Sequence, residues 1–430
     1  MTHSEDGSSR LAFHYGGGNS FLQLHATRIT NARLFWINKK CMPDMIAAMG
    51  LGPGKDCEFE ILNRYALSLT EDNVHSRKVN ADYYGSSGIT YFGGSGRAVS
   101  FDGIQIKGVG ATPLISIYTN WFHSNGNVFL TEAIREAVYS TVMDHEFPFG
   151  TVPIWAIIDC DELISMPNGK TQSRALIIRP FVARPCHVER ALAFGHSKES
   201  FHRTFHLKDI LRVKEWIPLA FPNERVVETL AARLGAQCAH AHIFHWYHGG
   251  WFSSTTDTNG RLIDFGSTRN IESWLSTNYE PGEPPFGSEL EYCARTIKSI
   301  LTMLERYGRY HLNGPHIVRI LYDSYRSQIV KSLSSLSSNS GSIDNSAYGD
   351  FVDAFSRAQY CSSVEQALLI EHEFYEKLGV HVCSRFFNSD LSREALDREA
   401  ERIEVDVNNG GSSQRAVDGL ILSHVRSRTN

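Results

Sequence analysis

Hydrophobic and polar positions along this chain divide it into a strand-rich first part and a helix-rich second part. The alternation Ile104/Ile106 against Gln105/Lys107 has the two-residue period of a β-strand and puts Gln105 and Lys107 on one face. A strand is predicted near Leu34–Ile37, followed by a helix to about Met49 that Gly50 and Gly52 close. Residues 53–90 show no readable period. Thr131 is the expected N-cap of a helix whose apolar stripe is Ala133, Ile134, Ala137, Val138 and Val142, with Arg135 and Glu136 riding on it. VPIWAIIDC and RALIIRPFV read as two apolar strands joined through Pro167-Asn168-Gly169-Lys170. The pattern turns helical from about His206, and a helix near Glu224–His242 leads into the loop His248–Gly266. Beyond Gly266 the segments GSELEYCARTIKSILTMLERYG and HIVRILYDSYRSQIVKSL carry helical apolar spacing. A low-complexity, flexible linker is expected near 334–346, then helices around Val364–Leu378 and Ser392–Val405, then a polar tail.

Composition narrows the class without naming a chemistry. The 430 residues are 42% apolar and 21% charged, enough for a large core in a globular protein. A net charge of −5 supplies no basic footprint, so nucleic acid is not the expected partner. No apolar run approaches the roughly 18 residues of a membrane span. The polar start MTHSEDGSSR has the character of neither a secretory signal nor a transit peptide. Eight scattered cysteines without C-x-x-C spacing fit reduced thiols, and a cytoplasmic location is expected.

The candidate chemistry lies around Asp264-Phe265-Gly266. A turn is expected at Asn259-Gly260, and His248-Gly249 stands sixteen residues before Asp264. A kinase-like fold presents a metal-binding Asp in this manner, after a catalytic loop and a short hairpin. Such a site needs a glycine-flanked lysine and a helix glutamate upstream. Lys107 lies between glycine clusters, which let backbone approach a phosphate, and Glu136 lies on the next helix. Arg174, Arg179, Arg184 and Arg190 are candidate phosphate donors, although a solvated basic face is the commoner fate of any one of them. His240, His242, His245 and His248 lack a familiar zinc spacing and are expected to stack and hydrogen-bond beside the loop, with His248 as its structural histidine.

These residues together resemble the selenoprotein O family of kinase-like protein adenylyltransferases. The resemblance runs from about Asn19 to Phe265 through NSFLQL, NARLFWIN, SGRAV, IQIKGVGATP, NGNVFLTEAIREA, HGG and LIDFG. It implies an α+β, protein-kinase-like two-lobed fold with an additional C-terminal helical region. The expected division is a polar lead-in (1–18), a nucleotide-binding lobe (19–200), a catalytic-loop and metal-site part (201–285) and a helical region (286–430). It further implies ATP with Mg2+ or Mn2+, bound in a flipped pose so that AMP is transferred to a protein, peptide or small-molecule acceptor.

On this resemblance Lys107 is the nucleotide lysine, Glu136 its helix partner and Asp264 the metal-binding aspartate. Gly108, Gly110, Asn125, Gly126, Asn127 and Arg179 become nucleotide contacts. The family's loop reads H-G-x-x-N-T-D-N-M. Here its catalytic Asp falls on Ser254 and its metal-binding Asn on Thr255, and in an H-G-D alignment Gly250 takes the Asp position. Asp257 is the remaining hairpin carboxylate and the candidate to join Thr255 and Asp264 at the metal. A neutral hydroxyl is no general base at pH 7, so two other readings stand beside AMP transfer. One is a catalytically impaired, pseudokinase-like nucleotide-binding scaffold or partner subunit; the other is γ-phosphoryl transfer.

Overall fold

The computed structural model describes residues 18–52, 54–85, 94–115, 121–191, 201–280, 282–308, 310–337, 343, 346–380 and 386–429. In chain order its strands are β1 (Phe21–Arg28), β2 (Arg33–Ile37), β3 (Leu67–Leu69), β4 (Arg77–Asp82), β5 (Ala98–Phe101), β6 (Ile104–Lys107), β7 (Val128–Phe129), β8 (Ala156–Ser165), β9 (Thr171–Pro180), β10 (Trp246–Tyr247) and β11 (Arg269–Asn270). Besides the single turn Trp121–Ser124, the α-helices are α1 (Met42–Met49), α2 (Cys57–Tyr65), α3 (Leu130–Glu146), α4 (Phe201–Ala220), α5 (Glu224–Ile243), α6 (Glu289–Met303), α7 (Gly314–Leu336), α8 (Ser346–Gln359), α9 (Val364–Lys377), α10 (Arg393–Asn408) and α11 (Ser413–Thr429). The fold is α+β.

One antiparallel sheet runs β2-β8-β9-β6-β5-β4-β1-β3, with β7 also pairing β9. Strand alternation divides its core in two. Ile104, Ile106, Leu176 and Ile178 face a core closed by Met45, Met49 and Ile61 of α1 and α2. Ala175 and Ile177 face the larger core, shared with α3 and the C-terminal helices. The β6–β9 register sets Gln105 opposite Arg179 and Lys107 opposite Ile177, and the β5–β6 register sets Lys107 opposite Ala98. Gln105, Lys107 and Arg179 therefore share the face that looks toward Asp264.

Several boundaries differ from expectation. The stretch 53–90, unreadable by period, holds α2, β3 and β4 in its described residues. Helix α3 starts at Leu130, with Phe129 as its N-cap and no side-chain cap, because β7 runs straight into it; Thr131 is already helical. The stripe Ala133, Ile134, Ala137, Val138 and Val142 is buried as expected. Helix α7 continues through 334–336 and α8 begins at Ser346, so both ends of the expected linker are helical; 338–342 lie outside the described residues, as do 1–17 of the lead-in.

The expected polar tail is helix α11. Val417, Leu420, Ile421 and Val425 recur at helical spacing within a Ser- and Arg-rich background and pack on the larger core. Gln414 accepts from the Ile37 amide at 2.8 Å, Asp418 accepts from the Trp36 indole at 2.9 Å, and Arg428 pairs with Glu146 of α3 at 2.6 Å. The last helices are thus tied to β2 and α3. No helix among the described residues is long and apolar enough to cross a membrane, and Cys41, Cys57, Cys160, Cys186, Cys238, Cys293 and Cys361 are free thiols.

Candidate functional site

Lys107 sits at the end of β6, 5% exposed, between two carboxylates brought from distant parts of the chain. Its Nζ donates to Glu136 Oε1 at 2.7 Å and to Asp264 Oδ1 at 2.9 Å. Glu136 is fully buried on α3, against the commoner fate of a helix glutamate. A buried carboxylate and ammonium persist only when paired, so this pair fixes α3 against the sheet. Asp264 is partly exposed and has a left-handed backbone, φ 69°. That conformation costs a non-glycine residue about 1 kcal/mol or more, an expense that often marks a functional position.

Arg179 completes the cluster. Its Nε donates to Gln105 at 2.8 Å and its Nη2 reaches Asp264 Oδ1 at 2.9 Å. Burial pushes the Asp264 carboxyl up, but Arg179, Lys107 and Arg184 outweigh it and hold it well below the usual carboxylate range. Two buried polar atoms here lack a hydrogen-bond partner among the described residues: Arg179 Nη1 and Glu136 Oε2. An orphaned guanidinium N–H beside an ammonium fits the oxygen of a phosphate.

A second charged group supports the first. Arg184 Nη2 pairs with Asp82 at 2.7 Å, its Nη1 donates to the Ser254 carbonyl at 3.1 Å, and it lies 4.0 Å from Asp264 Oδ2. The His187 Nδ1 accepts from the Arg184 amide at 3.0 Å, so its Nε2–H donates to Asp82 at 2.9 Å. The ring also stacks on Trp216 with centroids 4.1 Å apart. Arg174, Arg179 and Arg184 are all buried, contrary to a solvated basic face. Arg174 pairs with Glu162 and donates to the Gly108 carbonyl, and Arg190 pairs with Asp209. Asp82 and His187 carried no sequence signal, since their partners lie about a hundred residues away in the chain.

Burial pushes both His187 and the loop histidine His248 down to about 4, against the opposing pull of Asp82 and of the Gly250 carbonyl respectively. Both are neutral in the fold. Between pH 6.5 and about 4 the unfolded chain binds the additional protons, so their contribution is full above 6.5 and lost as pH falls. Stability should drop by roughly 3 kcal/mol per histidine across that window. Urea midpoints at about pH 7 and about pH 4.5 check this; a flat profile contradicts the neutral assignment.

The glycine turn and the 125–127 turn are joined. Gly108 and Gly110 have φ of 101° and 110°. Their amides are spent inside the fold: Gly108 donates to Arg97 and Gly110 to the Gly126 carbonyl. Asn125 Oδ1 accepts from the Asn127 amide at 2.8 Å, and the Asn127 carbonyl accepts from Arg97 at 3.1 Å. These five residues shape the wall beside Lys107, and those two amides do not point at a ligand. A Cβ at Gly126 would lie 1.8 Å from the Ala111 nitrogen, at a backbone φ of 80°. Gly126→Ala should therefore cost about 3 kcal/mol or more, read as a lowered melting temperature.

The loop 248–258 does not bring its other candidates to the cluster. Thr255 Oγ1 donates to the Gly250 carbonyl at 2.6 Å and accepts from the Phe252 amide at 3.0 Å, closing a turn. Asp257 is buried; its Oδ1 accepts from the Asn259 and Arg261 amides and its Oδ2 binds the Arg261 guanidinium at 2.7 Å. It caps the hairpin, where Gly260 takes the positive φ. Ser254 contributes its carbonyl to Arg184. His242 bonds Tyr325 and Glu289, His240 pairs with Glu146 and His245 with Glu371, as expected for packed histidines. Among the described residues no group of three His, Cys, Asp or Glu could hold a metal. Of the three candidate metal ligands Thr255, Asp257 and Asp264, Asp264 is the one whose side chain reaches the cluster. A magnesium ion needs as little as one carboxylate when substrate phosphates complete its shell, so the residues fit metal only together with a polyphosphate.

Fold and site define an α+β protein with a buried Lys–Glu–Asp–Arg charge cluster where the sheet, α3 and the 248–266 loop meet. No protein-family model matches the chain, and no curated protein sequence matches it.

Proposed function

We propose that this chain is a kinase-like, two-lobed ATP-binding protein similar to the selenoprotein O family, transferring AMP to an acceptor. The observation that carries the reading is Lys107, held between Glu136 and Asp264 with Arg179 beside it and one Arg179 N–H unpaired. Lys107 and Arg179 bind the phosphates, and Glu136 orients Lys107. Bound with the nucleotide at Asp264, Mg2+ or Mn2+ supplies charge neutralisation and orientation of the phosphate oxygens. An acceptor oxygen attacks the α-phosphorus, the bond from that phosphorus to the bridging oxygen breaks, and pyrophosphate leaves. Lys107 and Arg179 stabilise the charge that collects on the leaving group. Asp257 is committed to Arg261, so the loop offers no base; an acceptor that is already ionised, a carboxylate on a peptide or small molecule, needs none. The free thiols support a cytoplasmic setting.

A second reading, a nucleotide-binding scaffold without turnover, is favoured by the turn-closing role of Thr255 and by Ser254 at the loop position of an acid. The deciding experiment supplies ATP labelled on the α- or γ-phosphate, with metal and candidate carboxylate acceptors, to wild type and Asp264→Ala. α-Label transferred with pyrophosphate release, and lost in the variant, supports AMP transfer. γ-Label transferred with ADP release makes it a kinase. Neither, with ATP still bound, makes it a scaffold.

A further inference from the structure

Helix α10 comes from the far end of the chain, yet it reaches the two segments that form the charge cluster. Arg135, next to Glu136 on α3, is 5% exposed. Its Nη2 donates to the Gly266 carbonyl at 3.2 Å, two residues beyond Asp264, and its Nη1 pairs with Asp397 of α10. One guanidinium thus binds the helix that carries Glu136 to the backbone that carries Asp264, and its counter-charge is supplied from α10. Among the described residues no other carboxylate forms an ion pair with Arg135, although Glu401 of α10 borders the same cavity. Glu132 is taken by Arg97 at 2.8 Å, and Glu280 by Arg393 of α10 and by Arg269 at 3.3 Å. Beside this junction lies a cavity of ≈ 220 Å³ bordered by Glu132, Arg135, Gly266 and Asp397. It gives an unpaired Arg135 room to leave the Gly266 carbonyl.

We propose that Asp397 is a positioning residue for the nucleotide site: through Arg135 it holds Glu136 and Asp264 in register with Lys107. This rests on the reading of the cluster as a nucleotide site. Without Asp397, Arg135 is a buried charge that has lost its paired carboxylate, and it swings into the cavity toward Glu401. The tie across Gly266 is then lost and the two carboxylates no longer converge on Lys107.

Amide hydrogen exchange on the ligand-free chain, with ATP affinity measured alongside, tests this. Asp397→Asn should speed exchange in 130–137 and 262–268 and weaken ATP by roughly 10-fold, the scale on which small misplacements act. Asp397→Glu, which keeps the charge, should restore both. The double variant Arg135→Met/Asp397→Asn buries no unpaired charge and so recovers stability, but it lacks the tie, so exchange at 262–268 stays fast and ATP stays weak. Asp418→Ala, which removes the acceptor of the Trp36 indole at a distance from the cluster, should change neither. Unchanged exchange at 262–268 in Asp397→Asn overturns the proposal, as does the same increase in Asp418→Ala, or full recovery in the double variant. If wild type binds no ATP, the nucleotide reading falls, while the exchange comparison still decides whether Asp397 positions these segments.

Discussion

Lys107→Met is expected to remove measurable ATP binding and to destabilise the ligand-free chain. The Lys107 side chain is 6% exposed and its ammonium partners Glu136, whose side chain has no exposure, and Asp264. Removing one member of a buried ion pair costs about 3–5 kcal/mol because its partner keeps a desolvated charge. In the bound state Lys107 also supplies a charge-assisted hydrogen bond worth about 1.5–3 kcal/mol. Affinity should fall by roughly 10- to 100-fold from that bond alone, and further as Glu136 and Asp264 repel the phosphates. Calorimetric titration with ATP and a thermal melt read the two effects separately. Lys107→Arg keeps the charge, so it should retain most of the stability and little of the affinity, since a planar fork does not reproduce a point donor. ATP binding that survives Lys107→Met at full strength would remove Lys107 from the nucleotide site.

Asp264→Asn should abolish the metal dependence of ATP binding. In the folded chain Asp264 is an anion held by Arg179, Lys107 and Arg184. Replacing it by a neutral amide leaves those cations facing one another, so the ligand-free protein should lose on the order of 3 kcal/mol. The same change raises the local positive charge. A unit charge about 5 Å from a phosphate acts with roughly 3 kcal/mol at an effective dielectric of about 20. ATP in a chelator should therefore bind the variant roughly 10-fold or more tighter than it binds wild type, while added magnesium no longer strengthens binding. Transfer of AMP should vanish. Wild-type and variant affinities that respond equally to magnesium would show that Asp264 is not where metal and phosphate meet.

The parts of this site that were legible share a physical origin. Lys107 could be read because β6 alternates with a clean period of two, and Glu136 because it follows a buried helical stripe. Asp264 stands out by its local sequence. Their convergence is a tertiary fact that the residue order made expectable. What could not be read depended on partners remote in the chain. Asp82 meets Arg184 and His187 across more than a hundred residues, in a stretch whose elements had no period. Asp397 meets Arg135 from 262 residues away, on a helix that the sequence marks only by its helical pattern. Gly108 and Gly110 were read as open backbone for a phosphate, yet their amides close on Arg97 and Gly126. Asp257 is the hairpin's candidate metal carboxylate by sequence, but an acid beside a turn has local N–H donors and Arg261 within reach, and these take it. Helix α11 was hidden because its few apolar residues are diluted by Ser and Arg; the packing surface on β2 and α3 makes it a helix.

The most direct test of the account is a calorimetric titration of the wild-type chain with ATP and magnesium, competed with inorganic tripolyphosphate and with adenosine. Phosphate recognition by Lys107 and Arg179 predicts one ATP per chain, displaced by tripolyphosphate far better than by adenosine, and lost in Arg179→Gln. No binding at millimolar ATP, or binding that adenosine alone abolishes and Arg179→Gln leaves intact, would contradict it.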